Sequence, residues 1–181
     1  MVIEETYLSG CFVITPKVFE DERGYFFESY NQKTFETETS IKANFVQDNQ
    51  SKSSKGVLRG LHFQIGEHAQ AKLVQVIKGK VLDVCVDIRK ESSTFGKHFS
   101  LILDDKNRKQ LYIPRGFAHG FVVLENDTIF CYKCDNFYNK EAESGILFND
   151  KTLNIDWGFS EQSVIISEKD LKLPIFSNAV F

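Results

Sequence analysis

The stretch Gly56-Val57-Leu58-Arg59-Gly60-Leu61-His62-Phe63-Gln64 places one histidine in an otherwise apolar, strand-like run. A half-buried strand with a single imidazole suits two kinds of chemistry. Because histidine changes charge near neutral pH, His62 is suited to proton transfer. Neutral imidazole is also a common metal ligand. The residues spaced around His62 therefore decide both the type of fold and the chemistry that we expect.

The size and composition of the chain favour one soluble domain. Its 181 residues are 42% hydrophobic and 26% charged, which is enough for one sizeable core over residues 1–181. The formal net charge of -3 offers no basic field for nucleic acid. No apolar run has the length of a membrane span, and residues 1–10 lack the features of a signal peptide. Because the four cysteines have no secretory context, we expect reduced thiols in a cytoplasmic protein.

Cys131 and Cys134 form a C-x-x-C motif, a spacing used by zinc sites and by redox sites. A zinc site would need a second pair of ligands, and the sequence has no second pair. A redox site would need a helix N-terminus, whereas residues 128–132 have the pattern of a strand. Residues three apart on a strand point to opposite faces. We therefore interpret the two cysteines as unrelated small hydrophobic residues.

Short apolar runs separated by turn signals recur along the chain and predict an antiparallel sandwich or barrel. A tight hairpin is expected around Lys78-Gly79. Only residues 31–40 and 167–171 have a helical pattern. The predicted strands are Cys11 to Thr15, Tyr25 to Tyr30, Phe45 to Gln50, Val57 to Gln64, Lys72 to Ile77, Lys80 to Ile88, His98 to Leu103, Gln110 to Ile113, His119 to Leu124 and Thr128 to Cys134.

The spacing around His62 resembles the cupin superfamily, whose motifs are G-x5-H-x-H-x(3,4)-E-x6-G and P-x-G-x-x-H-x3-N. Gly56 and His62 fit the first motif, and Pro114 to His119 fits the second. This resemblance implies a mainly β, antiparallel jelly-roll barrel with a few short helices. The second histidine, the glutamate and the final asparagine of the motifs are replaced here by Gln64, Lys72 and Val123.

These replacements argue against a metal, because an ammonium group repels a divalent cation and two histidines alone make a poor site. The same residues suit proton abstraction beside a carbonyl group. A base removes a carbon-bound proton, a cation stabilises the enolate oxygen, and a phenol returns a proton on the opposite face. His62, Lys72 and Tyr132 lie on three predicted strands. We expect them to converge inside the barrel, without a metal or a cofactor.

Nine segments carry a more specific resemblance through their order and spacing. They are Asp21 to Phe26, Phe45 to Asn49, Gly56 to Gln64, Lys72 to Val74, Asp83 to Arg89, Ile113 to Phe121, Tyr132 to Cys134, Ile155 to Gly158 and Ile166 to Asp170. Over nearly its whole length the chain resembles the dTDP-4-dehydrorhamnose 3,5-epimerase family. This resemblance implies a metal-free inversion of C3 and C5 of dTDP-4-dehydro-6-deoxy-D-glucose to give dTDP-4-dehydro-L-rhamnose, in dTDP-L-rhamnose biosynthesis.

The family resemblance also implies roles for single residues. His62 matches the base, and Asp170 matches the acid partner that orients it. Tyr132 matches the general acid, and Lys72 matches the group that stabilises the enolate. Tyr138 matches an aromatic ring that stacks on thymine. A homodimer with N-terminal strands crossing between subunits is implied as well. The positions that match nucleotide-sugar contacts are Arg23, Glu28, Gln47, Asp48, Asn49, Arg59, His119, Glu143 and Lys169.

Several of these residues also fit ordinary structural roles. Ser167 to Asp170 has the pattern of a capping box, in which Asp170 would only return to a backbone N–H. Strict alternation sets Arg59 on the face opposite His62, unless Gly60 forms a bulge or Arg59 reaches substrate from a subunit edge. A solvated side chain is the ordinary expectation for Arg23 beside its turn glycine, and also for Glu28.

Other functions fit a barrel of this class. A 3-epimerase that omits C5, or a 3,4-ketoisomerase, would use a closely similar site. A non-catalytic sugar-nucleotide-binding cupin would keep the arginines and Tyr138 but would not need a His62–Asp170 pair. A metal-dependent cupin oxygenase or isomerase would hold stoichiometric iron, zinc or manganese.

Overall fold

The computed structural model describes residues 1–181 and consists mainly of β-strands. The single α-helix, α1, spans Gln32–Thr39, and none of the helices has the length and apolar character needed to cross a bilayer. Short 3₁₀ turns span Gly66–His68, Glu161–Ser163, Asp170–Lys172 and Phe176–Asn178. The strands are β1 (Val2–Glu5), β2 (Phe12–Thr15), β3 (Val18–Asp21), β4 (Gly24–Phe27), β5 (Gln47–Ser53), β6 (Leu58–Gln64), β7 (Lys72–Lys78), β8 (Lys80–Asp87), β9 (His98–Asp104), β10 (Gln110–Ile113), β11 (Phe117–Val123), β12 (Thr128–Cys134) and β13 (Glu143–Gly145).

Two antiparallel sheets pack face to face. One has six strands in the order β1-β2-β10-β7-β12-β5, and the other has five in the order β13-β6-β11-β8-β9. Between them lies the largest hydrophobic cluster, in which Phe121 of β11 stacks on Phe130 of β12 with ring centres 4.1 Å apart. β3 and β4 pair only with each other. The predicted mainly β, antiparallel fold is confirmed.

Side-chain alternation decides which residues of the six-stranded sheet point inwards. Val74 of β7 and Phe130 of β12 lie in the central cluster. Lys72 and Tyr132 stand two residues away from them on the same strands, so their side chains project from the same inward face of the sheet. Cys134 follows Tyr132 by two residues on the same inward face and is buried, whereas Cys131 faces outwards. The two cysteines of the C-x-x-C motif therefore occupy opposite faces, as predicted.

The predicted hairpin at Lys78-Gly79 is wrong. β7 pairs with β10 and β12 in the six-stranded sheet, whereas β8 pairs with β9 and β11 in the other sheet. Gly79, with a φ of 85°, carries the chain round the corner between the sheets. A Cβ atom at Gly79 would lie 2.3 Å from Oγ1 of Thr128, so this corner requires glycine. The sequence pattern showed the turn but not that the two strands separate.

The helix predicted over residues 31–40 is confirmed. Asn31 caps its N-terminus by accepting a hydrogen bond from a backbone N–H of the first turn, and Ser40 ends it in the left-handed region with a φ of 60°. Phe35 is the buried residue of α1, which covers part of the outer face of the six-stranded sheet. The second helical pattern, over residues 167–171, forms only a three-residue 3₁₀ turn.

Leu103 and Ile102 on β9 provide a matched test of this packing. Leu103 is fully buried in the central cluster, whereas Ile102 faces outwards and is 36% exposed. Leu103→Ala should lower the free energy of unfolding by about 2–5 kcal/mol, because it leaves a cavity between the sheets. Ile102→Ala should cost less than about 1 kcal/mol. Urea unfolding of both variants gives these values, and equal losses would contradict the inward face assigned to β9.

Candidate active site

A cavity of about 640 Å³ lies between the two sheets. Strands β5, β7 and β12 of the six-stranded sheet and β6 and β11 of the five-stranded sheet contribute to its walls, together with residues 165–170, called here the C-terminal strap. All four residues predicted to be catalytic line this cavity. With four of the predicted binding residues, they are His62, Lys72, Tyr132, Asp170, Asn49, Arg59, His119 and Lys169.

A bulge in β6 allows Arg59 and His62 to line the same cavity. The pairing of β6 with β11 shifts by one residue between these two positions, so the alternation of faces is interrupted. Gly60 lies at this bulge with a φ of 119°, and a Cβ atom there would lie 2.5 Å from the Cα atom of Gly120 on β11. Of the two explanations offered for Arg59, a bulge at Gly60 or a reach from a subunit edge, the structure shows the bulge.

His62 is held by Asp170 of the C-terminal strap. Nε2 of His62 lies 2.8 Å from Oδ1 of Asp170, and Oδ2 accepts the backbone N–H of Gly60 at 3.3 Å. Burial alone would raise the pKa of Asp170, but the hydrogen bonds from His62 and Gly60 outweigh it and lower that pKa. The ionised carboxylate accepts a hydrogen bond from the N–H at Nε2, which leaves the lone pair of Nδ1 free.

The capping-box alternative for Asp170 is only half realised. The hydroxyl of Ser167 accepts the backbone N–H of Asp170 at 3.1 Å, as in such a box. The carboxylate does not return to the N–H of Ser167, because it binds His62 and Gly60 instead. Asp170 therefore belongs to the cavity and not to a helix cap.

Lys72 and Tyr132 enter the cavity from the sheet opposite His62. Nζ of Lys72 lies 5.8 Å from the centre of the Tyr132 ring. Burial lowers the pKa of Lys72, and burial raises the pKa of Tyr132. The phenol consequently keeps its proton at neutral pH, and the ammonium group is more acidic than a solvated lysine.

A second histidine–aspartate pair lies beside the first, and the sequence analysis missed its acid. Nε2 of His119 lies 2.8 Å from Oδ2 of Asp83, and both side chains are buried. Asp83 stands on β8 in the apolar run Val81 to Val86. A carboxylate in an apolar strand is the signal by which the sequence could have revealed the pair, because aspartate is almost never fully buried unless it is paired. Oδ1 of Asp83 has no hydrogen-bond partner in the structure.

Glu143 joins two other predicted binding residues at the edge of the cavity. Its Oε2 atom accepts hydrogen bonds from Nζ of Lys169 at 2.6 Å and from the hydroxyl of Tyr138 at 2.7 Å. Burial alone would raise the pKa of Glu143, but these two bonds lower it. The Tyr138 side chain is 52% exposed, so its ring remains accessible while its hydroxyl is fixed.

Four predicted binding residues lie apart from the cavity in this chain. Arg23 and Glu28 are exposed, in the β3–β4 hairpin and just after it. Asp48 points to the outer face of β5 and forms an ion pair with Lys133 at 3.0 Å. Gln47 faces inwards, but its amide group bonds to other protein groups. Because side chains alternate between the two faces of β5, the polar residues 47–49 do not all point the same way, and only Asn49 lines the cavity.

Known proteins match this chain over nearly its full length. The model of the family described as dTDP-4-dehydrorhamnose 3,5-epimerase matches residues 5–178. A dTDP-4-dehydrorhamnose 3,5-epimerase from Salmonella typhimurium is 52% identical, over 99% of this chain and 98% of the relative.

Two solved structures also match the chain. A dTDP-4-dehydrorhamnose 3,5-epimerase from Elizabethkingia anophelis superposes with a TM-score of 0.95 at 57% identity, covering 98% of this chain and 97% of the other. A dTDP-6-deoxy-D-glucose-3,5-epimerase from Legionella pneumophila, in complex with dTDP-4-keto-L-rhamnose, gives a TM-score of 0.93 at 45% identity, covering 98% and 93%.

Gly60→Ala tests the bulge that brings Arg59 and His62 to one cavity. The added Cβ would overlap Gly120, and its φ of 119° is strained for alanine, so the free energy of unfolding should fall by about 2–4 kcal/mol. Gly66→Ala is the control, since Gly66 has a φ of 60° but an added Cβ would meet no atom within 4 Å, and it should cost about 1 kcal/mol. Urea unfolding measures the stability of both variants. Equal losses of stability would show that the close approach of Gly60 to Gly120 does not restrict residue 60 to glycine.

Proposed function

The chain belongs to the dTDP-4-dehydrorhamnose 3,5-epimerase family, and from this membership we propose how its residues invert C3 and C5 of dTDP-4-dehydro-6-deoxy-D-glucose. The product is dTDP-4-dehydro-L-rhamnose, an intermediate of dTDP-L-rhamnose biosynthesis. Both carbons flank the C4 ketone, which acidifies their protons. One observation carries the proposal: His62 lies on one sheet, and Lys72 and Tyr132 lie on the facing sheet of the same cavity.

His62 removes the proton from carbon through Nδ1. The hydrogen bond from Nε2 to Asp170 fixes the tautomer in which Nδ1 is the acceptor. Once Nδ1 takes the proton, the imidazole becomes cationic. The ionised carboxylate of Asp170 then stabilises the imidazolium that forms.

Lys72 stabilises the enolate that results. Loss of the proton beside the ketone moves negative charge onto the C4 oxygen. An ammonium group in a partly enclosed cavity attracts that charge more strongly than it would in water. Because burial lowers the pKa of Lys72, the group is also a better hydrogen-bond donor to the enolate oxygen. The ammonium group therefore lowers the free energy of the enolate intermediate, because it attracts the negative charge that develops on the C4 oxygen.

Tyr132 returns a proton to carbon from the other ring face. Inversion requires that removal and return of the proton occur on opposite faces, so the acid must stand across the sugar from His62. Tyr132 meets this condition because β12 belongs to the facing sheet. Solvent then restores the proton of Tyr132 and accepts the one held by His62, and the same cycle acts at the second carbon.

Charged and aromatic residues of the cavity and its edge bind the nucleotide. The planar guanidinium of Arg59 suits a diphosphate, and Lys169, which is paired with Glu143, offers a further N–H donor. The exposed ring of Tyr138 offers a stacking surface for thymine. His119, oriented by Asp83, is a hydrogen-bonding group for the sugar.

We also propose that the protein is a homodimer. The β3–β4 hairpin pairs with no other strand of its own chain and exposes Phe19, Tyr25 and Phe26 by 54%, 57% and 70%. Exposed apolar rings gathered on one element are typical of an association surface. A hairpin that crosses to a partner would carry Arg23 and Glu28 to that subunit's cavity, which explains why neither reaches its own.

We place the protein in the cytoplasm. All four cysteines are free, although the Sγ atoms of Cys11 and Cys85 lie only 3.7 Å apart. Cytoplasmic reductants keep such thiols reduced.

Replacement of the base and of the acid should have different effects on isotope exchange. In D2O, His62→Ala should slow deuterium incorporation at C3 and C5 by at least about 10²-fold, because the base is lost. Tyr132→Phe should retain exchange, since His62 still forms the enolate, but should lose inversion. Proton NMR of substrate and product reports both outcomes.

His68→Ala is the matched control for this experiment, because His68 lies in a surface turn bonded to Asn139 and outside the cavity. It should leave exchange and inversion unchanged. Normal exchange in His62→Ala would overturn the base assignment. Wild-type exchange confined to C3 would show an enzyme that epimerises that carbon alone.

A mixture of two defective subunits tests the crossing hairpin. Sedimentation equilibrium of the wild type should give twice the chain mass of 20.8 kDa. Arg23→Ala and His62→Ala homodimers should each be impaired, but a heterodimer of the two should regain activity. One of its cavities would hold His62 of the first subunit and Arg23 of the second. A monomeric wild type, or heterodimers without regained activity, would contradict the crossing arrangement.

A further inference from the structure

Arg59 differs from the other arginines of the chain in its partner. The sequence contains five arginines, and four of them form ion pairs with carboxylates. Arg59 forms no ion pair and bonds instead to the hydroxyl of Ser53. It is also the only arginine that lines the cavity. The paired arginines and their acids are Arg23 with Asp21, Arg89 with Asp87, Arg108 with Glu20 and Arg115 with Asp135.

Ser53 is built into the sheet behind the cavity. It is the last residue of β5, it is 9% exposed, and it lies in register with Thr128 of β12. Its Oγ atom accepts hydrogen bonds from Nε of Arg59 at 3.3 Å and from Nη2 at 3.2 Å. Ser53 does not itself line the cavity. Its contact with any ligand in the cavity is therefore indirect, through Arg59.

The geometry of this contact leaves Arg59 ready for an anion. A guanidinium group has five N–H donors, and Ser53 occupies two of them along the Nε–Nη2 edge. The end formed by Nη1 and Nη2 remains free to bind two oxygens of one phosphate. Because a hydroxyl is neutral, it orients the guanidinium without cancelling its charge, as a carboxylate would.

We propose that Ser53 is a positioning residue for the diphosphate of the nucleotide sugar, which acts by holding the side chain of Arg59 before the substrate arrives. This inference rests on the role in diphosphate binding proposed above for Arg59. A long arginine side chain that is already ordered loses less conformational entropy when it binds. Ser53 thus contributes to substrate affinity and not to the proton transfers.

The effect of Ser53 should appear in binding and not in turnover. Ser53→Ala should raise the KM for substrate and the Kd for dTDP, measured by calorimetry, about three- to tenfold, with kcat changed less than about twofold. Ser53→Thr, which keeps the hydroxyl, should restore most of the affinity. Ser54→Ala is the control, since Ser54 is the exposed next residue and makes no side-chain hydrogen bond, and it should change neither constant. Thermal unfolding of each variant checks that it is folded.

Arg59→Ala separates this inference from the role on which it rests. If Arg59→Ala leaves the Kd for dTDP unchanged, the proposed role of Arg59 fails, and the inference about Ser53 fails with it. If Arg59→Ala weakens binding and Ser53→Ala does not, only the inference about Ser53 is overturned. The double variant should bind dTDP no more weakly than Arg59→Ala alone. If the losses of dTDP affinity added up in the double variant, or if Ser53→Ala lowered kcat at constant KM, the inference about Ser53 would also be overturned.

Discussion

The close approach of β6 and β11 at Gly60 and Gly120 is the constraint on which the site depends. Only a residue without a side chain fits between the two backbones, and its positive φ interrupts the alternation of β6. Arg59 and His62 therefore share one cavity. The same bulge presents the N–H of Gly60 to Asp170, so the carboxylate that orients His62 is held at the point where the strand is distorted. One local irregularity thus places three of the groups that the proposed function uses, which are Arg59, His62 and Asp170.

In the proposed mechanism the two facing sheets supply different catalytic groups. The five-stranded sheet supplies two histidines, each bonded to an aspartate, at positions paired across β6 and β11. The six-stranded sheet supplies Lys72 and Tyr132, whose pKa values burial shifts in opposite directions. The proposed removal and return of the proton on opposite ring faces therefore fall to different sheets. Rigid sheets suit this task, because a sugar ring held between them meets base and acid in fixed directions.

Local patterns predicted elements well and connections poorly. The strand from Thr128 to Cys134 and the helix within residues 31–40 have the expected bounds, because alternation and capping are local properties. Gly79 was correctly predicted to lie in a turn, but the expected hairpin failed, since pairing depends on strands distant in sequence. For the same reason Asp83 was missed: only the folded chain shows that His119 is the partner that allows a carboxylate in an apolar strand.

The sequence by itself determined which residue types are available for the proposed chemistry: a histidine, a lysine and a tyrosine on separate predicted strands, with the lysine where the cupin motif has a glutamate. It also determined the antiparallel β class, because the periodicity of strands and the residues that form turns are local features of the sequence. Only the tertiary structure decided which side chains meet. Asp170 lies more than a hundred positions from His62, and Ser53 reaches Arg59 across a turn, so both contacts depend on packing rather than on spacing. Tertiary packing also left Arg23 and Glu28 outside their own cavity, since the hairpin beside them pairs with no strand of the same chain.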